Sequence, residues 1–135
     1  MPIRNTLADL AKDALTRVPE LDCDELAAMM EAREHPRPIV VDVREPDERA
    51  RGYVPGSVLV PRGVLERDIE RAAYGHAPSD EEMERPIVCY CGGGSRSALA
   101  ADSLRKMGFP NVYSLEGGFK AWGTSGKPVA HDRAG

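Results

Sequence analysis

Ile87-Val88-Cys89-Tyr90-Cys91-Gly92-Gly93-Gly94-Ser95-Arg96-Ser97 is the stretch on which the fold turns. Ile87 to Tyr90 is a short, β-favouring apolar run behind Pro86, the pattern of a central strand. Three glycines follow, and they allow backbone angles that other residues resist. Ser95 or Arg96 then opens a helical pattern through Ala98, Leu99, Ala100, Ala101, Leu104 and Met107, which Gly108 stops. Cys91 sits at the base of this loop. Glycine N–H groups turned inward make an anion-binding nest, and the helix behind adds its positive N-terminal end. Both effects favour thiolate over thiol, and the thiolate is the nucleophile. The bland alternative makes Cys91 a small core residue and the glycines a simple turn. The combination of strand, Cys, glycine loop, Arg-Ser and helix favours the reactive thiol, because reactive cysteines sit at electropositive helix starts.

Working outward, the 135 residues suit a single domain with an ordinary hydrophobic core. The composition, 41% hydrophobic and 30% charged, is that of a globular protein. No apolar run approaches the ~20 residues of a membrane span, and the N-terminus lacks the apolar core of a signal peptide. The expectation is therefore an intracellular, cytoplasmic protein with no membrane partner. Cys23, Cys89 and Cys91 make no disulfide framework. His35, His76 and His131 are scattered without ligand spacing and read as surface residues, so neither a metal nor another cofactor is expected. A net charge of -4 with no Lys/Arg run argues against nucleic acid.

In chain order, residues 5–18 read as an amphipathic helix, with Leu7, Leu10, Ala11, Ala14, Leu15 and Val18 at helical spacing and Thr6 with Asp9 resembling a capping box. Glu20-Leu21 suits a short edge strand. Asp22, with Glu25 three residues on, caps a second helix whose apolar stripe is Leu26, Met29 and Met30. Ile39-Val40-Val41-Asp42-Val43 is a β-branched run typical of a central parallel strand. Asp42 is a carboxylate inside it and needs a partner, for which Arg44 and Arg96 are candidates, or else it caps backbone N–H groups. Residues 46–51 suit a short helix with Pro46 first, and residues 52–57 a turn-rich link. Val58-Leu59-Val60 forms a strand ended by Pro61 and Arg62. A helix over about 64–71 leads into a polar loop reaching Glu84. After the Cys91 helix come a strand at 112–115, a turn at 116–118 and a short helix at 119–122. Residues 131–135 look like a loose tail. This alternation predicts an α/β fold: a central, mostly parallel sheet of about five strands with helices on both faces. Ligands bind such sheets outside the carboxyl ends of the strands, where Asp42, Arg44, Arg62 and Cys91 can converge.

At these residues the chain resembles the rhodanese family of sulfurtransferases in its single-domain form. Val41-Asp42-Val43-Arg44-Glu45 looks like the family's first signature. Gly52-Tyr53-Val54-Pro55-Gly56-Ser57 resembles its Gly-His-Ile-Pro-Gly-Ala segment, with Tyr53 in place of the usual His. Tyr90-Cys91 to Arg96-Ser97 matches the active-site loop, and residues 115–122 resemble the closing signature. The likeness runs from about Leu21 to Pro128. It implies a rhodanese-like domain over 20–130, with residues 1–19 as an N-terminal helical extension and 131–135 as the tail. It further implies that the Cys91 thiolate takes the outer sulfur of thiosulfate or a persulfide donor. The resulting persulfide, ringed by the backbone N–H groups of Gly92, Gly93, Gly94, Ser95, Arg96 and Ser97, passes its sulfur to cyanide or a thiol. Arg96 paired with Asp42 is expected to support the loop, Arg44 to support it or attract the donor, and Arg62 to contact substrate at the mouth. The loop interior carries no cation of its own, so a persulfide donor competes with thiosulfate.

Two other readings stand beside this one. A cysteine phosphatase or arsenate reductase uses a similar loop, but with five residues between Cys and Arg. Here there are four, and Tyr90 stands where such enzymes usually have His. Alternatively the domain is a sulfur carrier or binding module that works only with a sulfur-relay partner protein, docked in one version by the first helix.

Overall fold

The computed structural model describes residues 4–33 and 36–132; the reading of His35 falls outside them, as does that of the last three tail residues. Five parallel strands make one sheet in the order β1-β5-β4-β2-β3. They are β1 (Glu20–Leu21), β2 (Ile39–Asp42), β3 (Val58–Leu59), β4 (Ile87–Tyr90) and β5 (Val112–Leu115). Val41 lies beside Cys89 and Asp42 beside Tyr90 across the β2–β4 pair, while Cys89 lies beside Ser114 across β4–β5. β4 is thus the middle strand, and all four residues of β2 and of β4 are buried, as their β-branched, apolar character predicts, with Asp42 the one charged residue among them.

Alternate residues of β4 face opposite layers. Ile87, Cys89 and, beyond the strand end, Cys91 pack with Leu65 and Ile69 of α4 (Leu65–Tyr74) and with Ala101 and Leu104 of α6 (Ser95–Lys106). Val88 and Tyr90 pack with Leu26 of α2 (Cys23–Glu31) and Trp122 of α7 (Gly118–Thr124). α1 (Leu7–Ala14) lies against α6 through Ala11, Ala14 and Ala98, and Arg17 ties its end to Asp102 on α6 with bonds of 3.0 and 2.9 Å. Its capping box forms as expected, with Asp9 doing the work of a glutamate.

Several elements differ from expectation. The first helix, expected over residues 5–18, spans only Leu7–Ala14 and gives way to a turn before Val18. The polar loop before β4 contains a further helical turn, α5 (Asp80–Met83), capped reciprocally by Ser79 and Glu82. The helix expected to stop near Arg71 continues to Tyr74, where Gly75 closes it in the left-handed conformation. The end of the domain and the start of the tail are also held: Ala130 and Tyr53 exchange two backbone hydrogen bonds, and the Tyr53 hydroxyl donates to Asp132 in the tail. Among the described residues, no helix is long and apolar enough to cross a membrane.

Candidate active site

β4 ends at Tyr90, and the chain turns through Cys91, Gly92 and Gly93 into α6. Gly94 is the N-cap of α6 with φ +108, a backbone angle that a β-carbon resists. That angle aims the Gly94 N–H at Cys91 Sγ (3.1 Å), and the Ser97 N–H, in the first turn of α6, points at the same atom (3.4 Å). These two of the six loop amides are the sulfur's backbone donors among the described residues. The Cys91 thiol also lies 3.5 Å from Ser97 Oγ, which in turn bonds the Gly94 carbonyl (3.1 Å) and Ser114 Oγ (2.8 Å).

The outer side of the loop is clamped by α7. Phe119 N–H donates to the Cys91 carbonyl (2.7 Å) and Lys120 N–H to the Gly92 carbonyl (3.1 Å). In a planar trans peptide the N–H points opposite to the C=O. Drawing those two carbonyls toward α7 therefore turns the Gly92 and Gly93 amides away from it. The approach needs Gly118, at φ +59: a β-carbon there would lie 2.5 and 2.6 Å from the two carbonyl oxygens.

Cys91 is 1% exposed and sits at the bottom of this loop, whose outermost residue, Gly93, is exposed. A reagent that reaches the sulfur must be slim at its reacting end. Cys89, two residues back on the same face, is fully buried, and burial pushes its thiol up to about 12. Cys23 is also pushed up by burial.

The expected Arg96–Asp42 pair does not form. Arg96 makes a two-pronged bond to Glu48 (2.8 and 3.0 Å), which lies on α3 (Pro46–Arg49). The Arg96 hydrogen bond lowers the Glu48 carboxyl to about 2. Asp42, at the end of β2, instead accepts from the Arg44 backbone N–H, from Arg44 Nε and Nη2 (2.9 Å each) and from Arg49 Nη1 (3.2 Å). The reason is proximity: Arg44 reaches back over two residues, and α3 brings Arg49 down onto the strand end. Asp42 thus does both things weighed for it, capping a backbone N–H and pairing with an arginine.

Arg44 is buried, donates to the Gly52 carbonyl (2.8 Å), and lies over the Phe119 ring at 4.4 Å. Arg49 binds Ser57, and the Tyr90 hydroxyl bonds Val54 N–H and Ser57 Oγ. Together these groups brace the 52–57 turn against β2 and β4. The Arg44 guanidinium is thus enclosed and held by Asp42 and the Gly52 carbonyl.

Arg62 follows β3, but its guanidinium runs outward to Glu66 on α4 and Ser103 on α6. Ser103 is eight residues beyond Ser95, roughly 12 Å along the helix axis. Arg62, expected to contact substrate at the mouth, here ties α4 to α6.

Glu48, Arg49, Ser114 and Gly118 are the site-forming residues that sequence reasoning missed. Glu48 and Arg49 follow the Asp42 motif closely enough to have been suspected as charge partners; Ser114 carried no signal.

The fold and site define a parallel α/β protein whose middle strand leads directly into a cysteine cradled by the start of a helix. Over residues 22–125 the sequence matches the family described as the rhodanese-like domain. A Pseudoalteromonas translucida protein named thiosulfate sulfurtransferase GlpE is 33% identical over 84 residues, 62% of this chain and 71% of that one. An Allochromatium vinosum sulfurtransferase is 30% identical over 112 residues, covering 83% of this chain and 94% of its own. Among solved structures, a Rhodopseudomonas palustris protein of unknown function, described as a possible tyrosine phosphatase, superposes with a TM-score of 0.77 at 32% identity, covering 96% and 98% of the two chains. The chain belongs to the rhodanese-like domain family.

Proposed function

We propose that this sulfurtransferase carries a sulfane sulfur on Cys91, taking it from thiosulfate or a persulfide and passing it to cyanide or a thiol. The observation that carries the reading is the Cys91 sulfur accepting the Gly94 and Ser97 amides at the start of α6. Amides and the helix N-terminus stabilise a sulfur anion without bringing a proton that could quench it. The Cys91 thiolate attacks the outer sulfur of the donor; the S–S bond forms as the donor's own bond to that sulfur breaks, and the bonding pair leaves on sulfite when the donor is thiosulfate or on a thiolate when it is a persulfide. The persulfide anion left on Cys91 is held by the loop from Gly92 to Ser97. The acceptor then attacks its terminal sulfur, giving thiocyanate from cyanide, and the Cys91 thiolate is regenerated. Asp42 and Arg44 hold the frame around the loop rather than the donor.

The narrow approach to a 1% exposed sulfur favours a single terminal sulfur atom over a bulky phosphate ester. With Arg96 paired to Glu48, Arg44 to Asp42 and Arg62 to Glu66, a doubly charged donor meets no unpaired arginine among these three. A persulfide on a small thiol or on a sulfur-relay protein suits this charge balance at least as well as thiosulfate. Three free thiols fit a reducing, cytoplasmic setting.

Mass spectrometry after incubation with thiosulfate, and separately with a low-molecular-weight persulfide, tests the reading. One extra sulfur on the Cys91 peptide, removed by cyanide, is the expected result. Hydrolysis of an aryl phosphate without any sulfur gain on Cys91 would replace it with the phosphatase reading.

A further inference from the structure

Ser97 and Ser114 are both fully buried, and their hydroxyl oxygens are 2.8 Å apart. Ser114 lies on β5 and faces the same layer as Cys89, its neighbour across the β4–β5 pair. A buried hydroxyl must donate its proton somewhere. Among the described residues the Ser114 hydroxyl has one hydrogen-bond partner, Ser97 Oγ, so Ser114 is the donor of that pair. Ser97 then holds a single proton of its own and donates it to the Gly94 carbonyl at 3.1 Å, while the Cys91 thiol donates to Ser97 Oγ at 3.5 Å; once that thiol has lost its proton, the sulfur becomes a second acceptor within reach.

We infer that Ser114 is a positioning residue for the Cys91 sulfur, acting through Ser97. By donating to Ser97 Oγ it occupies one of that oxygen's lone pairs and polarises the Ser97 O–H, making it a stronger donor. While Cys91 is a thiol, the Ser97 proton rests on the Gly94 carbonyl. When the sulfur becomes anionic, the proton swings to it, and the Gly94 N–H, the Ser97 N–H and the Ser97 hydroxyl all serve one atom. Ser114 keeps the hydroxyl pair supplied with a proton from the core side, where no water replaces it. The inference rests on the reading of Cys91 as the nucleophile.

The test is the pH dependence of Cys91 alkylation by a small haloacetamide, followed on the Cys91 peptide by mass spectrometry. Ser114→Ala should raise the midpoint by about half a pH unit and Ser97→Ala by about one. The charged and titratable groups around the sulfur, Arg96 of α6, Glu48 of α3 and Cys89 of β4, are the same in every variant, so the differences isolate the hydroxyls. Because Ser114 acts only through Ser97, the double variant should match Ser97→Ala alone. Ser114→Thr and Ser114→Val have one shape and differ in the hydroxyl, so Thr should track the wild type and Val should track Ala, even if Ala disturbs packing. An unchanged midpoint in both Ala and Val variants, or an added shift in the double variant, overturns the role of Ser114 while leaving Cys91 as nucleophile. A Cys91 that neither alkylates nor gains sulfur in the wild type overturns both.

Discussion

The amide of Phe119 donates to the carbonyl oxygen of Cys91 at 2.7 Å, so the start of α7 sets the orientation of the loop that carries the sulfur. Gly118, just before Phe119, makes the contact possible, since a β-carbon there would fall 2.5 Å from that same oxygen. The closing segment of the domain thus reaches the chemistry through backbone alone.

Gly118→Ala should therefore damage activity more than an ordinary left-handed glycine does. Gly126 is the internal control: φ is +77 and nothing lies within 4 Å of its would-be β-carbon. Gly126→Ala should cost only the backbone term, about 1–2 kcal/mol in denaturant melts, with turnover unchanged. Gly118→Ala should cost about 1–3 kcal/mol more and lower kcat/KM about a hundredfold, because the loop must shift. Equal turnover in the two variants would detach α7 from the site.

Cys91→Ser should abolish sulfur gain from thiosulfate, and Cys89→Ser should leave it intact. With its thiol pushed up to about 12 by burial, Cys89 is ionised at roughly one part in ten thousand at about pH 8. Peptide mapping after thiosulfate treatment checks both outcomes, and sulfur found on Cys89 would contradict the assignment.

Arg62→Ala should leave KM for thiosulfate within about twofold, because the guanidinium is tied to Glu66 and Ser103 and away from the loop. Its cost should be to stability, about 0.5–1 kcal/mol for a half-exposed pair and one hydrogen bond. A tenfold rise in KM would return Arg62 to the substrate path.

Acid should loosen the site in a defined window. Hydrogen bonds from Arg96 hold Glu48 at about 2, below its ordinary 4.5, and hydrogen bonds from Arg17 hold Asp102 at about 2, below 3.8. Both values are depressed in the folded state. The stability each contributes is therefore complete above its ordinary value and disappears as pH falls through the folded value. Unfolding free energy should be level above about pH 5 and fall toward about pH 2. Glu48→Gln combined with Asp102→Asn should start lower and flatten that slope; an unaltered slope in urea titrations would locate the acid sensitivity elsewhere.

Local signals made the framework readable. The apolar runs of β4 and of β2 up to Asp42 mark strands buried on both faces, and Thr6 and Asp22 mark helix starts by capping chemistry that spans three residues. Gly94 and Cys91 could be placed because strand, glycine turn and helix follow one another directly, so the sulfur and its cradle belong to one short segment. α5 escaped notice for the opposite reason: three acidic residues and Met83 make a single turn too short to show a period, although Ser79 and Glu82 carried a cap.

What the linear order could not decide was which of several arginines meets which carboxylate, and what stands behind the loop. Asp42 could have met Arg44 or Arg96 on sequence grounds; the angle at which α3 leaves β2 places Arg49 on Asp42 and Glu48 on Arg96. Ser114 and Gly118 read as an ordinary strand residue and a turn residue until β5 is set beside β4 and α7 is laid over the loop. Hydrogen bonds act over about 3 Å, and a chain brings residues that far apart in sequence within such a distance only by packing its sheet and helices. The identity of the sulfur-bearing segment is local and was written in the residues; the donors that surround it are assembled by the fold.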